Sequence, residues 1–164
     1  MNPKHLALTA ALFLAAVAAG AQEAPAWHSF PWALGGGTEL NQGAKEGWAQ
    51  SYAVVLDRVL FDRRFAVGLR GSLNSDYRTV SGFDGSLTLR LYPYPFGPGG
   101  AFAQLGFGVG SWQEDERQKF TGILDWAAGF RYFFLGGFYA EAYIRSGFPF
   151  QWALGILAGH SFTF

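Results

Sequence analysis

Cysteine is absent from this chain of 164 residues, and charged residues make up only 15% of it. The absence of cysteine excludes disulfide bonds, thiolate metal ligands, cysteine nucleophiles and a lipid-modified cysteine. Lysine and arginine together number 12, as do aspartate and glutamate, so the formal net charge is zero. This balance argues against a nucleic-acid-binding protein that works through a basic surface.

Glycine and aromatic residues are abundant instead. The chain has 23 glycines, and aromatic residues account for 18% of it. Average usage would give roughly 11–12 glycines in a chain of this length. High glycine, high aromatic content and low charge together favour an unusual β protein, and the length predicts one domain.

The N-terminal residues have the features of a secretory signal peptide. Lys4 precedes an apolar run from Leu6 to Gly20, which ends in the A-x-A cleavage pattern Ala19-Gly20-Ala21. The run of about 15 residues is short for a membrane-spanning helix of about 20. We expect export beyond the inner membrane of a bacterium with an envelope. The predicted division is a signal peptide at 1–21, a short linker at 22–31 and a β-barrel at 32–164.

After the linker, apolar side chains recur at every second position, which is the period of a β-strand. Phe83, Leu87 and Leu89 share one face of their segment, whereas Asp84 and Arg90 share the other. Segments of about 9–11 residues have the length of strands that cross a bilayer at a tilt. Turn residues delimit eight segments: 32–41, 48–58, 64–74, 82–93, 101–112, 121–134, 137–146 and 150–164.

The composition of the charged face indicates whether that face of the barrel meets bulk water or lines the interior. After cleavage, lysine remains only at Lys45 and Lys119, both in predicted loops, whereas the exposed face of a soluble protein usually carries many lysines. Arginines and carboxylates interleaved with glycine suit a narrow interior, because buried charges must be paired. We therefore predict that the apolar face meets lipid and that nine residues form ion pairs inside: Glu39, Asp57, Arg70, Asp84, Arg90, Asp125, Arg131, Glu141 and Arg145.

Aromatic residues cluster near the ends of the predicted strands. Membrane barrels carry aromatic girdles on their lipid-facing surface at both interfaces. We assign nine aromatic residues to that surface: Trp32, Tyr52, Tyr92, Tyr94, Phe133, Phe134, Trp152, Phe162 and Phe164.

The last predicted strand carries a further pattern. Phe164 ends the sequence, and Phe162, Ala158 and Ile156 stand at alternating positions before it, with His160 departing from the pattern. This resembles the C-terminal assembly signal of bacterial outer-membrane proteins. The whole mature chain resembles small eight-stranded outer-membrane β-barrels of the OmpA transmembrane-domain or OmpX type.

The resemblance implies an all-β, eight-stranded, antiparallel up-and-down transmembrane barrel in the bacterial outer membrane. Outer-membrane lipid and lipopolysaccharide are then the expected partners, together with the barrel-assembly machinery, which reads the C-terminal strand. Both termini and the connectors 59–64, 93–100 and 134–137 would face the periplasm. The other four loops would face the cell exterior.

No residues predict a catalytic, cofactor or metal site. Some eight-stranded outer-membrane barrels are lipid A deacylases or acyltransferases, and His160, Ser161 and Glu141 are of the residue types that such enzymes use. Adjacent strand residues point to opposite faces, however, so His160 and Ser161 cannot cooperate simply. We favour a structural or adhesive protein that presents short extracellular loops on a closed, charge-paired barrel. The alternatives are a lipid-modifying enzyme on the same fold and a soluble, lipocalin-like ligand-binding barrel.

Overall fold

The structure is a computed structural model. The residues it describes are 32–43, 48–60, 64–75, 81–93, 95–96, 99–114, 117–148 and 150–163. The predicted signal peptide and linker, Tyr94 and Phe164 lie outside these ranges. Within them, no helix is long and apolar enough to span a membrane.

The described residues form eight long strands and one strand of two residues. The alternation of apolar and polar side chains explains why these segments are extended, because it lets each strand place one face against the interior. The strands are β1 (Trp32–Gly43), β2 (Trp48–Leu60), β3 (Phe65–Ser75), β4 (Ser81–Leu91), β5 (Pro95–Phe96), β6 (Gly99–Glu114), β7 (Arg117–Phe133), β8 (Phe138–Phe148) and β9 (Phe150–Phe162).

The eight long strands close into an antiparallel barrel. Each pairs with its neighbour along the chain, β4 pairs with β6, and β1 pairs with β9 from Trp32↔Phe162 onward. The short strand β5 pairs only with the first residues of β6. The predicted eight-stranded, up-and-down architecture is confirmed. We call the end at which β1 begins and β9 ends the proximal end, and the opposite end the distal end.

The turn between β7 and β8 depends on glycine. Leu135–Gly137 forms a short 3₁₀ turn in which Gly136 and Gly137 have φ values of 72° and 83°. Only glycine adopts this left-handed region without steric cost. The backbone N–H of Phe134 donates to the carbonyl of Phe138 at 2.7 Å and closes the hairpin.

The largest difference from the predicted strand bounds lies in the β6–β7 hairpin. β7 begins at Arg117 rather than at residue 121, and β6 continues to Glu114. Residues 117–120 are all exposed, so they carry no alternation that a sequence pattern would reveal. Backbone pairing with β6 extends them instead.

The two faces of the wall have opposite character. Apolar residues face outward, as illustrated by Leu87, whose exposed fraction is 53%, whereas charged residues face inward and Glu39 is fully buried. A soluble protein distributes these residue types the other way round. The wall therefore has the arrangement of a barrel whose exterior meets an apolar solvent.

Two of the aromatic residues predicted to face lipid face the interior instead. Tyr92 is 3% exposed and Phe133 is 6% exposed. Tyr92 packs on Phe102, and Phe133 packs on Tyr139. The prediction was wrong because each residue lies two positions after an inward-facing arginine of the same stretch of chain, which places it on the same face.

An arginine at the middle of the outward face tests this assignment. Leu87 lies near the centre of β4, between Leu69 of β3 and Phe107 of β6. Leu87→Arg is expected to lower the free energy of unfolding in phospholipid vesicles by about 2–4 kcal/mol. The matched variant Leu73→Arg, near the distal end of β3, should cost about 0–1 kcal/mol. Urea titrations of both variants measure the difference, and equal costs would contradict the depth assignment.

Candidate functional site

The barrel interior holds all nine charged residues named above, and each of them is buried. They come from six of the eight long strands, namely β1, β2, β3, β4, β7 and β8, and they share the interior because alternate residues of each strand point to the same side. Eight of them form two ion-paired clusters. The proximal cluster comprises Asp57, Arg90, Arg131 and Glu141, and the distal cluster comprises Glu39, Arg70, Asp125 and Arg145.

The proximal cluster balances two guanidinium groups against two carboxylates. Arg131 donates to Asp57 Oδ2 at 2.6 Å and to Glu141 Oε2 at 2.7 Å. Arg90 donates to both oxygens of Glu141, at 2.9 and 3.1 Å, and lies 3.2 Å from Asp57 Oδ2. Gln104 Oε1 accepts from Arg90 at 2.7 and 3.1 Å. The cluster joins β2, β4, β7 and β8 across the lumen and carries no net charge.

Aromatic rings support both arginines of this cluster. The Arg90 guanidinium carbon lies 4.0 Å from the centre of the Phe102 ring, and that of Arg131 lies 4.2 Å from the centre of the Tyr139 ring. A cation over a ring face is attracted by the ring quadrupole, more strongly where water is excluded. The rings therefore help to hold the two guanidinium groups at the positions from which they reach the carboxylates.

The distal cluster is built around Glu39. Its Oε2 accepts from Arg145 at 3.0 Å and forms an ion pair with Arg70 Nη2 at 2.8 Å, and its Oε1 accepts from the Tyr143 hydroxyl at 2.6 Å. Arg70 also donates to the Tyr143 oxygen at 3.0 Å. Asp125 is held less closely, since its nearest Arg145 nitrogen is 3.4 Å away.

The distal half of the interior carries the excess negative charge. Of the nine charged residues, five are carboxylates and four are arginines, and the proximal cluster is balanced. The fifth carboxylate, Asp84 of β4, accepts hydrogen bonds from Ser72 and Asn74 of β3 rather than from an arginine. One oxygen of Asp84 and one of Asp125 are buried without a hydrogen-bond partner among the described residues.

Glycines make room for the tyrosines. A Cβ atom at Gly155 would overlap the Tyr143 ring, and one at Gly35 would overlap the Tyr139 hydroxyl. Both tyrosines therefore lie against a wall that has no side chain beneath them. This explains why glycine and charged residues alternate on the inward face, since large polar side chains of one strand need a bare stretch on the next.

Between the two clusters the described residues leave little free space. A cavity of about 10 Å³, lined by Arg70, Arg90, Glu141 and their neighbours, offers roughly the room of one water molecule. At the distal end the Trp112 indole lies over Gly82 and Gly110. The lumen that the described residues enclose therefore contains side chains rather than an open channel.

The candidate catalytic residues do not meet. His160 lies on the outer side of β9, where its Nε2 is 2.7 Å from the carbonyl oxygen of Gly136 and its ring meets Phe138 edge-on. Ser161 faces the interior and is buried, and Glu141 is held by two arginines. Within the described ranges, no group of three or more histidine, aspartate or glutamate side chains is placed to hold a metal ion.

Sequence reasoning did not single out Tyr139, Tyr143 or Gln104 as partners of the buried arginines. The alternation along β8 could have identified the two tyrosines, because Tyr139 and Tyr143 lie two residues before and two residues after Glu141 and therefore share its inward face.

Of the predicted assembly signal, Ile156 and Ala158 are exposed and Phe162 is half-buried on the outer side of β9. His160 departs from that pattern, and its bond to the β7–β8 turn gives it a local structural role.

Two carboxylate replacements compare the proximal cluster, which carries no net charge, with the distal half of the interior, which carries one excess carboxylate. Glu141→Gln leaves Arg90 and Arg131 short of a counter-charge, so it should lower the free energy of unfolding by about 3–5 kcal/mol. Asp125→Asn removes the excess charge and a long contact, so it should change stability by about 1 kcal/mol or less. Urea unfolding in lipid vesicles measures both values. A larger loss for Asp125→Asn than for Glu141→Gln would contradict the charge balance described above.

No family model matches the chain, and no curated protein matches it. Solved structures do. The N-terminal β-barrel domain of Pseudomonas aeruginosa OprF is 17% identical with a TM-score of 0.64, and the match covers 81% of this chain and 98% of that one. Neisserial surface protein A is 9% identical with a TM-score of 0.60, and the match covers 80% and 96%. Together with the closed barrel described above, these matches establish that the chain has the fold of eight-stranded outer-membrane β-barrels.

Proposed function

We propose that this chain is an integral protein of the bacterial outer membrane with a structural or adhesive role. In this proposal the barrel is a closed, lipid-embedded anchor, and its distal end presents the connecting loops to the cell exterior. The protein reaches the membrane through the predicted signal peptide. Its partners are outer-membrane lipid, lipopolysaccharide and the barrel-assembly machinery, which engages β9.

The observation that carries the proposal is the reversal of the two faces. Leucine, phenylalanine and valine cover the outside of the wall, and arginines with carboxylates fill the inside. Exposing such a surface to water is unfavourable, at roughly 25 cal/mol per Å² of apolar area. A bilayer removes that cost, and the apolar band of a membrane barrel has this composition.

The filled interior supports an anchor rather than a transporter. Eight strands enclose a lumen just wide enough for side chains. Here the lumen is crossed by hydrogen-bonded ion pairs such as Arg131 with Asp57 and Arg145 with Glu39. A diffusing solute would have to break these pairs in a medium of low dielectric constant, where an unpaired charge is costly. The same filling disfavours a lipocalin-like ligand site.

The β6–β7 hairpin is the part of the distal end best placed to meet a partner. β7 pairs with β8 only from Leu124 onward, whereas its pairing with β6 begins at Arg117. Seven residues of β7 therefore extend beyond β8, which corresponds to roughly 23 Å of strand. Phe120 within this stretch is 73% exposed. A projecting hairpin with an exposed aromatic side chain favours contact with a surface outside the membrane over an enclosed reaction.

A non-enzymatic role also fits the positions of the reactive side chains. His160 and Ser161 lie on opposite sides of the wall, and Glu141 is engaged by Arg90 and Arg131. General acid–base catalysis needs a base within hydrogen-bond reach of the group that it activates. His160, Ser161 and Glu141 do not form such a pair with one another, so the lipid-modifying alternative built on them is not favoured.

Heat modifiability and conductance test the closed membrane barrel. Unboiled protein from detergent-extracted outer membranes should migrate differently from boiled protein in a denaturing gel and should resist protease. The folded protein should give no stable channel in a planar lipid bilayer. Absence of the mobility shift, with the protein free in the periplasmic fraction, would overturn the membrane assignment. Steady conductance steps would overturn the closed interior.

Single cysteines introduced into this cysteine-free chain test its orientation. Arg117→Cys lies in the projecting hairpin, and Arg64→Cys lies in the proximal turn between β2 and β3, where the side chain is exposed. A membrane-impermeant maleimide should label Arg117→Cys on intact cells and Arg64→Cys only after the outer membrane is permeabilised. The reverse labelling pattern would show that the distal end faces the periplasm.

A further inference from the structure

One arginine stands apart from the four in the lumen. The outward positions of the described strands hold apolar, small or uncharged polar residues across the barrel wall. Arg58 of β2 is the one Asp, Glu, Lys or Arg residue at such a position. Its side chain is exposed, and none of the described carboxylates pairs with it. A single cation on an otherwise apolar surface needs an anionic partner, because a charge beside lipid is costly when it is unpaired.

The position of Arg58 along the wall fixes the depth of that partner. β2 ends two residues later at Leu60, which is about 7 Å along the strand. An arginine at the bilayer midplane costs about 2–4 kcal/mol, whereas one near the interface costs about 0–1 kcal/mol. Long basic side chains also extend toward the headgroups while their methylenes stay on the apolar surface. Arg58 is therefore at the level of the lipid headgroups of the proximal leaflet.

Trp32 orients the guanidinium group. The two residues are cross-strand neighbours of β1 and β2, and the Arg58 guanidinium carbon lies 5.2 Å from the centre of the indole ring. A cation over a ring face is attracted by the ring quadrupole and does not use up its N–H donors, of which the planar guanidinium carries five. Those donors have the fork geometry that binds two oxygens of one phosphate.

We propose that Arg58 and Trp32 form a binding site for the phosphate of an anionic glycerophospholipid in the proximal leaflet. The ring and the alkyl stem of Arg58 contact the apolar boundary of the headgroup, and the guanidinium binds the phosphodiester. In an anionic lipid no cation of the same headgroup competes for that phosphate, whereas in phosphatidylcholine the choline group does. The inference rests on the proposed membrane location of the barrel. It predicts that one lipid is held at this residue pair, and not merely that lipids are attracted by the overall charge of the proximal rim.

Arg64 provides the matched control. It is exposed at the same proximal end, in the turn that joins β2 to β3, and its carbonyl accepts from the backbone N–H of Tyr92 at 2.7 Å. It has the same charge as Arg58, but it lies in a turn rather than at a lipid-facing strand position. If the site lies at Arg58, replacing Arg58 should change the preference for anionic lipid more than replacing Arg64 does. If the rim attracts lipid only through its overall charge, the two replacements should change that preference equally.

Native mass spectrometry of the folded barrel measures the site directly. The full mature chain is reconstituted in an equal mixture of phosphatidylglycerol and phosphatidylcholine, and the lipids retained after release from detergent are counted. One arginine near a headgroup is expected to favour the anionic lipid about fivefold. Arg58→Gln should abolish this preference, and Arg64→Gln should keep it.

Three outcomes would overturn the lipid site: no preference in the native chain, an unchanged preference in Arg58→Gln, or an equal loss in both variants. Heat modifiability of each sample separates this inference from the proposed function. A barrel that shows the mobility shift without lipid preference contradicts only the site at Arg58. A native chain that shows no shift in any lipid contradicts the membrane barrel itself.

Discussion

Pairing of charge in a narrow lumen occupied by side chains is the constraint on which the rest of this structure depends. Each buried guanidinium needs a carboxylate, and each carboxylate must come from another strand, so the pairs tie strands together independently of the backbone ladder. Glu39 of β1 meets arginines from β3 and β8, and Asp57 of β2 meets arginines from β4 and β7. Shifting one strand by a single residue would turn its inward charges toward the exterior. The ion pairs therefore specify register even where their net stabilisation is small.

The glycine content follows from the same constraint. Four arginines, three tyrosines, Phe102 and Phe133 occupy the lumen of a barrel of only eight strands, and they fit because some facing positions lack side chains. Asp125 lies over Gly106, and Tyr143 lies over Gly155. Interior volume, rather than backbone flexibility, thus accounts for much of the unusual composition that the sequence displays.

The two-residue period was sufficient to predict the fold and the inward face, because parity is a local property of each strand. It was not sufficient to predict partners. Arg131 and Asp57 are 74 positions apart, and their contact depends on how far the strands are staggered around the closed barrel. Aromatic character is a poor guide to the facing of Tyr92 and Phe133, because each lies two positions after an inward-facing arginine and therefore also faces the interior. The distal part of β7 was missed because residues 117–120 are extended by pairing with β6 and have no buried face.

The seam between β1 and β9 has a consequence for biosynthesis. Nearly all other strand pairs are hairpins between consecutive segments, but this one joins segments separated by more than a hundred residues. Until it forms, the sheet has two open edges with unpaired backbone groups. Such groups are costly in lipid, where no water can bind them, and in water they can pair with other chains and cause aggregation. Closure also waits for the slowest event in such a topology, the meeting of the most distant parts of the chain. A chain that lacks β9 would therefore keep the edges of β1 and β8 unpaired, because β9 is the strand that joins them.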